Sequence, residues 1–164
     1  MKKEKNTVEE IMVPLEDYNT ISENATIYEA IRILRESFHR EGGAWHGHRS
    51  VIVKNSSGEP SGILTLGSIL RAAGLKDLCL DDPYLKSLSW GWYYIKKLQE
   101  GTIRVRDIMQ PLGLAAVRAA DSITGAARTL LRHNVNSAPV IKKGKVVGIL
   151  RTIDIFLAMD KYFS

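Results

Sequence analysis

The sequence predicts an α/β (α+β) protein made of two similar halves, and three observations carry that reading. The first is the stretch 137–156, SAPVIKKGKVVGILRTIDIF, which reads as strand, tight turn, strand, helix. Two short apolar runs flank a polar, glycine-bearing turn at Lys142, Lys143, Gly144 and Lys145, the pattern of a hairpin with buried strands. The second is a repeat of that order at 49–70, RSVIVKNSSGEPSGILTLGSIL, where Gly58, Gly62, Ile63 and Leu64 match Gly144, Gly148, Ile149 and Leu150. The third lies upstream of each hairpin. Val8, Ile11, Met12 and Pro14 match Val105, Ile108, Met109 and Pro111, and Ile27, Ala30 and Leu34 match Ile123, Ala126 and Leu130 at helical spacing. The chain is a duplication.

Each element has its own local reason. Residues 1–6 read as a frayed terminus. Thr7-Val8-Glu9-Glu10 has the form of a capping box and predicts a short helix that Pro14 ends. Residues 15–23 form a loop with a short extended piece at Thr20-Ile21. Thr26-Ile27-Tyr28-Glu29 is a second capping box, opening a helix to about Phe38. Asp81-Asp82-Pro83 marks another helix start, an Asp cap with Pro at the first helical position. That helix carries Tyr84, Leu85, Leu88 and Trp92, and Trp90, Tyr93 and Tyr94 add aromatic surface, which is core packing or a contact with another subunit. In the second half Ala115-Ala116-Val117 predicts a short strand, and Asp121 or Ser122 caps a helix through His133. After the last strand Thr152 is placed as a helix N-cap with Asp154 in the first turn, beside the positive end of a helix running to about Tyr162. The domain plan is 1–74 for the first repeat, 75–102 for an inserted helical linker and 103–164 for the second repeat.

One departure from the repeat is the insertion 39–48, which holds three of the four histidines. A His-x-His pair in an extended segment can hold a metal. No Cys, Asp or third clustered ligand completes such a site, so a polar surface loop is the better reading, and no metal is expected.

Composition limits the function classes. The 164 residues are 45% hydrophobic and 25% charged, ordinary for a globular chain. The net charge of +5 is spread along the sequence apart from its first residues, so nucleic acid is not implied. A single cysteine, Cys79 between two leucines, excludes an internal disulfide framework and reads as a small buried residue. No apolar run reaches membrane-spanning length and nothing resembles a signal peptide, so a cytoplasmic protein is expected. Nucleophile elbow, Walker loop, dinucleotide fingerprint and His-Glu-x-x-His are all lacking, and an enzyme is not expected.

The paired openings around Ile11-Met12 and Ile108-Met109, the Ala138-Pro139-Val140 strand and the Gly148-Ile149-Leu150…Asp154 ending resemble the CBS domain, the regulatory module named after cystathionine beta-synthase. The resemblance covers nearly the whole chain. It implies a tandem CBS pair with pseudo-twofold symmetry, small mixed sheets flanked by helices, and a homodimer. It also implies a ligand cleft between the repeats for an adenosyl compound, AMP, ADP, ATP or S-adenosylmethionine, with the signal passed to an unknown effector protein.

In adenosyl-binding members Ser or Thr stands three residues after the Gly and Asp six after it. The Asp accepts from both ribose hydroxyls, the hydroxyl residue and helix start hold phosphate, and backbone of the Ala-Pro-Val strand meets the adenine. Carried onto this sequence, the site residues are Asp154, Thr152, Arg151, Ser137, Ala138, Pro139 and Val117 in the second repeat, and Thr65 and Ser68 in the first. Neither half holds the full pattern. Arg151 stands where Ser or Thr is usual, as a solvated charge at a strand end or as a phosphate contact. Ser68 stands where Asp is expected and reads as a plain helix N-cap. The alternative function, from another class, is a ligand-free dimerisation scaffold with decayed sites. The two separate on whether the space near Asp154 is open and polar or filled by apolar side chains.

Overall fold

The computed structural model describes residues 7–41, 43–72 and 103–160, with backbone alone at 44–46. The expected frayed terminus, the helix of the 75–102 linker with its aromatic residues, Cys79 and the last turn toward Tyr162 lie outside the described residues. In chain order the strands are β1 (Val13–Pro14), β2 (Thr20–Ser22), β3 (His39–Glu41), β4 (Ala44–His46), β5 (Ser50–Lys54) and β6 (Pro60–Thr65). They continue with β7 (Gln110–Pro111), β8 (Val117–Arg118), β9 (Ser137–Lys142) and β10 (Lys145–Arg151). The described helices are α1 (Ile27–Glu36), α2 (Leu66–Ala72), α3 (Val105–Ile108), α4 (Ile123–His133) and α5 (Thr152–Asp160).

These elements form two compact units whose limits cross the repeat boundaries. One unit joins the chain up to Tyr18 to the chain from Leu112 onward; the other is Asn19–Pro111. Each repeat therefore lends its opening segment to the unit built on the other repeat's hairpin. The first unit has a mixed sheet in the order β1-β10-β9-β8, antiparallel except where β8 runs parallel to β9. The second has β2-β5-β6-β7, with β2 parallel to β5. The α/β class with small mixed sheets is as the sequence predicts.

Close packing explains the matched glycines. A β-carbon on Gly148 would stand 2.5 Å from the Val13 carbonyl oxygen, and one on Gly62 would stand 2.8 Å from that of Gln110. Only glycine lets the borrowed strand approach so closely. The opening segments are also held upstream of those strands. Val8 and Glu9 donate backbone N–H groups to Asp121 and Ala119, as Val105 and Arg106 do to Ala25 and Glu23. Lys142 pairs with Glu9 across the first unit.

The cores match position for position. Val8, Ala126, Leu130, Val140, Leu150 and Ile155 are buried together in one unit. Val105, Ala30, Leu34, Val53, Leu64 and Ile69 are buried together in the other. The β9–β10 turn places Lys143 and Gly144 in the left-handed region, φ 50° and 75°, the geometry whose twist suits a two-residue hairpin.

Helix ends follow the capping signals with some adjustment. Thr26 and Glu29 form the expected box, Thr26 N–H to Glu29 Oε2 at 2.8 Å and Glu29 N–H to Thr26 Oγ1 at 3.2 Å. α1 stops at Glu36, and Ser37 Oγ donates to the Leu34 and His48 carbonyls at 2.6 and 2.9 Å. The Thr7 box opens a single 3-10 turn, Val8–Glu10, because the chain must straighten into β1. Ser122, not Asp121, caps α4 by accepting from Gly125 N–H at 3.1 Å, while Asp121 accepts from Arg118 N–H at 2.8 Å. Within the insertion 39–48, where the sequence predicts a polar surface loop, β3 and β4 pair antiparallel with His39 opposite His46. Among the described residues no three metal-ligating side chains gather, and no helix is long and apolar enough to cross a membrane.

Candidate functional site

The second-repeat site is built where β10 hands over to α5. α5 begins at Thr152, so Thr152 is not its cap; its side chain is exposed and its backbone N–H goes to the Asn136 carbonyl at 3.0 Å. The group that closes the first turn is Asp154, whose Oδ2 accepts from the Arg151 backbone N–H at 2.9 Å. The same carboxylate takes the Arg151 side chain in a fork, Nε to Oδ2 at 2.9 Å and Nη2 to Oδ1 at 2.5 Å. Asp154 is 7% exposed and Arg151 is 26% exposed. The guanidinium is pushed above its ordinary pKa chiefly by its hydrogen bond to Asp154. Burial opposes that shift, and the Asp154 and Tyr18 charges add to it.

The other expected residues lie on the neighbouring strands. Ser137 stands opposite Arg151 in the β9–β10 register, Ala138 opposite Leu150 and Pro139 opposite Ile149. Val117 pairs with Val140 through β8. Both Val117 and Ala138 place their side chains in the hydrophobic core, so what they can offer a ligand is backbone. Ser137 and Pro139 are buried.

The first-repeat junction has the same geometry with different chemistry. Thr65 is the helix cap here, its Oγ1 accepting from Ser68 N–H at 3.1 Å. Ser68, expected as the cap, sits in the first turn with its Oγ 3.0 Å from Thr65 Oγ1, and Arg71 Nη2 reaches it at 3.5 Å. An apolar groove of about 320 Å³ lies between α1 and α2, lined by Leu34, Phe38, Leu66 and Ile69 among others. Its lining is apolar throughout, Arg35 contributing only its hydrocarbon stem, and it offers a ribose or phosphate no polar group.

The choice posed by the sequence, open polar space or an apolar plug at Asp154, has a third outcome. The carboxylate is covered by its own arginine. Reasoning from sequence left Arg151 solvated or facing a phosphate and missed this pairing, although an Arg and an Asp three apart across a helix start are within reach of each other. It also missed Tyr18, a buried phenol in a segment read as loop, and Arg71.

Comparison with known proteins gives the family. A family model for the CBS domain matches residues 8–74 and 105–161. No curated protein sequence matches the chain. Among solved structures, CBSX2 in complex with AMP superposes with a TM-score of 0.66 at 20% identity, covering 98% of this chain and 100% of that one. The CBS-pair protein CBSX2 from Arabidopsis thaliana gives 0.64 at 20% identity, with 96% of each chain covered. The CBS-domain containing protein ATU1752 from Agrobacterium tumefaciens gives 0.67 at 17% identity, again with 96% of each covered. At such identities the likeness is one of fold, and the two matched stretches take in most of the sequence. The chain belongs to the CBS-domain family and carries the domain twice, in tandem.

Proposed function

We propose that the chain is a non-catalytic regulatory module that binds an adenosyl ligand at the β10–α5 junction and passes its ligand state to an effector protein. The observation that carries this reading is the buried carboxylate of Asp154 at a strand-to-helix handover, in the first turn of α5. An ionised carboxylate is the acceptor best suited to a pair of ribose hydroxyls. The AMP held by CBSX2, a protein of the same fold, supports an adenine nucleotide as the first ligand to test. In this reading 75–102 is a linker between the domain stretches 1–74 and 103–164.

The module also pairs with a second copy. α5 is apolar around most of its circumference. Ile155 faces the core, yet Ile153, Phe156, Leu157 and Met159 are exposed, and Leu131 on α4 is 78% exposed. A helix apolar on all sides calls for burial on all sides. The same face favours the second reading, a dimerisation scaffold without ligand, because Asp154 is already satisfied by Arg151.

A thermal-shift panel of AMP, ADP, ATP and S-adenosylmethionine separates the two. A ligand that binds only the folded state stabilises it by about 2.7 kcal/mol at a hundred times its dissociation constant. A clear shift with at least one compound supports the sensor, and none across the panel leaves the scaffold. Light scattering reads the dimer, which a monomer at high micromolar concentration would refute.

A further inference from the structure

We infer that Arg151 is a latch on the second-repeat site, so that this site accepts a phosphorylated nucleoside and refuses the bare nucleoside. The inference rests on Asp154 being the ribose acceptor, as proposed above, and concerns what must happen before it can act.

Asp154 has too few open acceptor positions for a diol while Arg151 is in place. A carboxylate has about four lone-pair directions. Asp154 already accepts three hydrogen bonds: the Arg151 backbone N–H and Nε on Oδ2, and Nη2 on Oδ1. A vicinal diol needs two acceptor positions, and only one remains. The backbone bond is part of the helix start and stays. The guanidinium therefore has to leave for both hydroxyls to be held.

What can displace it follows from charge. The two side-chain bonds are charge-assisted and forked, about twice as strong as bonds to neutral partners. Two neutral hydroxyls are a poor exchange for them. Leaving also strips a carboxylate that is 7% exposed of its counter-charge, and an unpaired buried charge is strongly unfavourable. A phosphate changes the balance because it offers the guanidinium a second anion of matching fork geometry. The ligand's phosphate takes the arginine as its ribose takes the aspartate, so the two halves of a nucleotide act together. Arg151 is three-quarters buried but keeps a face to solvent through which an incoming anion meets it. At the first repeat the same position is Thr65, which makes no such fork.

Calorimetry with AMP and adenosine, on the wild-type chain and on Arg151→Thr, tests the latch. Threonine is what the same fold carries at the matched position, so the variant suits this backbone. Wild type should bind AMP and discriminate against adenosine. Arg151→Thr should raise adenosine affinity at least tenfold and cut the AMP preference by a similar factor. Arg151→Lys, which keeps the charge without the fork, should fall between them. A ligand-free readout accompanies this: the Arg151 Nε–H resonance should exchange slowly with water in the free protein, and AMP but not adenosine should shift it. If wild type binds AMP and Arg151→Thr leaves the AMP-to-adenosine ratio unchanged, the latch is wrong and the nucleotide site stands. If neither compound binds either protein, the site itself is wrong and the latch falls with it.

Discussion

The two strand-to-helix junctions follow the same backbone course and differ in the pair of side chains that closes the first helical turn. At β6–α2 the pair is Thr65 and Ser68, two hydroxyls 3.0 Å apart, one of them capping the helix. At β10–α5 the pair is Arg151 and Asp154, oppositely charged and forked together. Both solve the same local problem, the orphan N–H groups where a helix begins. The neutral solution asks little of its surroundings. The charged one places a carboxylate in the protein that is satisfied only while its arginine stays, which is a far more conditional arrangement. Two copies of one fold have thus come to hold one inert junction and one loaded junction.

The largest expected effect comes from breaking the charged pair. Asp154→Ala takes the forked carboxylate away from a mostly buried guanidinium and removes the acceptor for the Arg151 backbone N–H. Urea unfolding should show a loss of about 3 kcal/mol. Ser68→Ala, the matched change, deletes a neutral hydroxyl and should cost about 1 kcal/mol. Equal losses at the two positions would mean that the fork contributes nothing beyond an ordinary first-turn contact.

The next test turns one junction into the other. Ser68→Asp gives the first repeat a carboxylate where the second has one, with Thr65 in place of an arginine beside it. Arg71, whose Nη2 is 3.5 Å from Ser68 Oγ, supplies a counter-charge from the next turn. This variant should gain a second AMP-binding event per chain, about tenfold or more above any background, read by calorimetric stoichiometry. A stoichiometry unchanged from wild type would show that the carboxylate alone does not make the site.

The smallest effect concerns pH. Glu29 has its pKa lowered from the ordinary 4.5, first by the Thr26 backbone N–H, then by the Thr26 hydroxyl; desolvation opposes the shift, and Arg32 and Arg104 add smaller contributions to it. A depressed carboxylate stabilises the fold above its unfolded pKa and loses that contribution as pH falls through the folded value. α4 has Gly125 at the matched position and no such titration. Glu29→Gln, which keeps an amide oxygen for the Thr26 N–H, should slightly flatten the acid side of the melting-temperature profile and leave neutral pH nearly untouched. A profile that superposes on wild type throughout would assign the box to hydrogen bonding alone.

Much of this fold was legible because its signals are local. The hairpins at Gly58 and Gly144, the Thr26 box and the i, i+3, i+7 core of α1 and α4 can each be read from a few neighbouring residues. The exchange of opening segments could not be read that way. β1 and β7 are two residues long, and what fixes them is a carbonyl packed on a glycine far along the chain, Val13 on Gly148 and Gln110 on Gly62. A repeat in sequence reports likeness, not spatial partnership. The His39–His46 pairing escaped for another reason: β3 is exposed along its whole length, so it has no alternation to reveal a register. At the second junction position in the repeat singles out Asp154 as the candidate acceptor, but the pairing of Arg151 depends on which way one flexible side chain turns.

The borrowed openings carry a consequence for how this chain is born. Translation delivers Val8 and β1 first, yet the sheet they complete needs β10, and the helix they pack beside is α4. The leading segment must remain unpaired while most of the sequence emerges. By contrast the sheet of Asn19–Pro111 has its partners once β7 clears the exit, since its described strands all lie within that span. Synthesis therefore imposes an order on two equal partners: the middle of the chain folds first, and the remainder closes around a beginning held in waiting. Contacts of such long separation are slow to form, so β1, paired with a strand more than a hundred residues later, is among the last segments to find its partner.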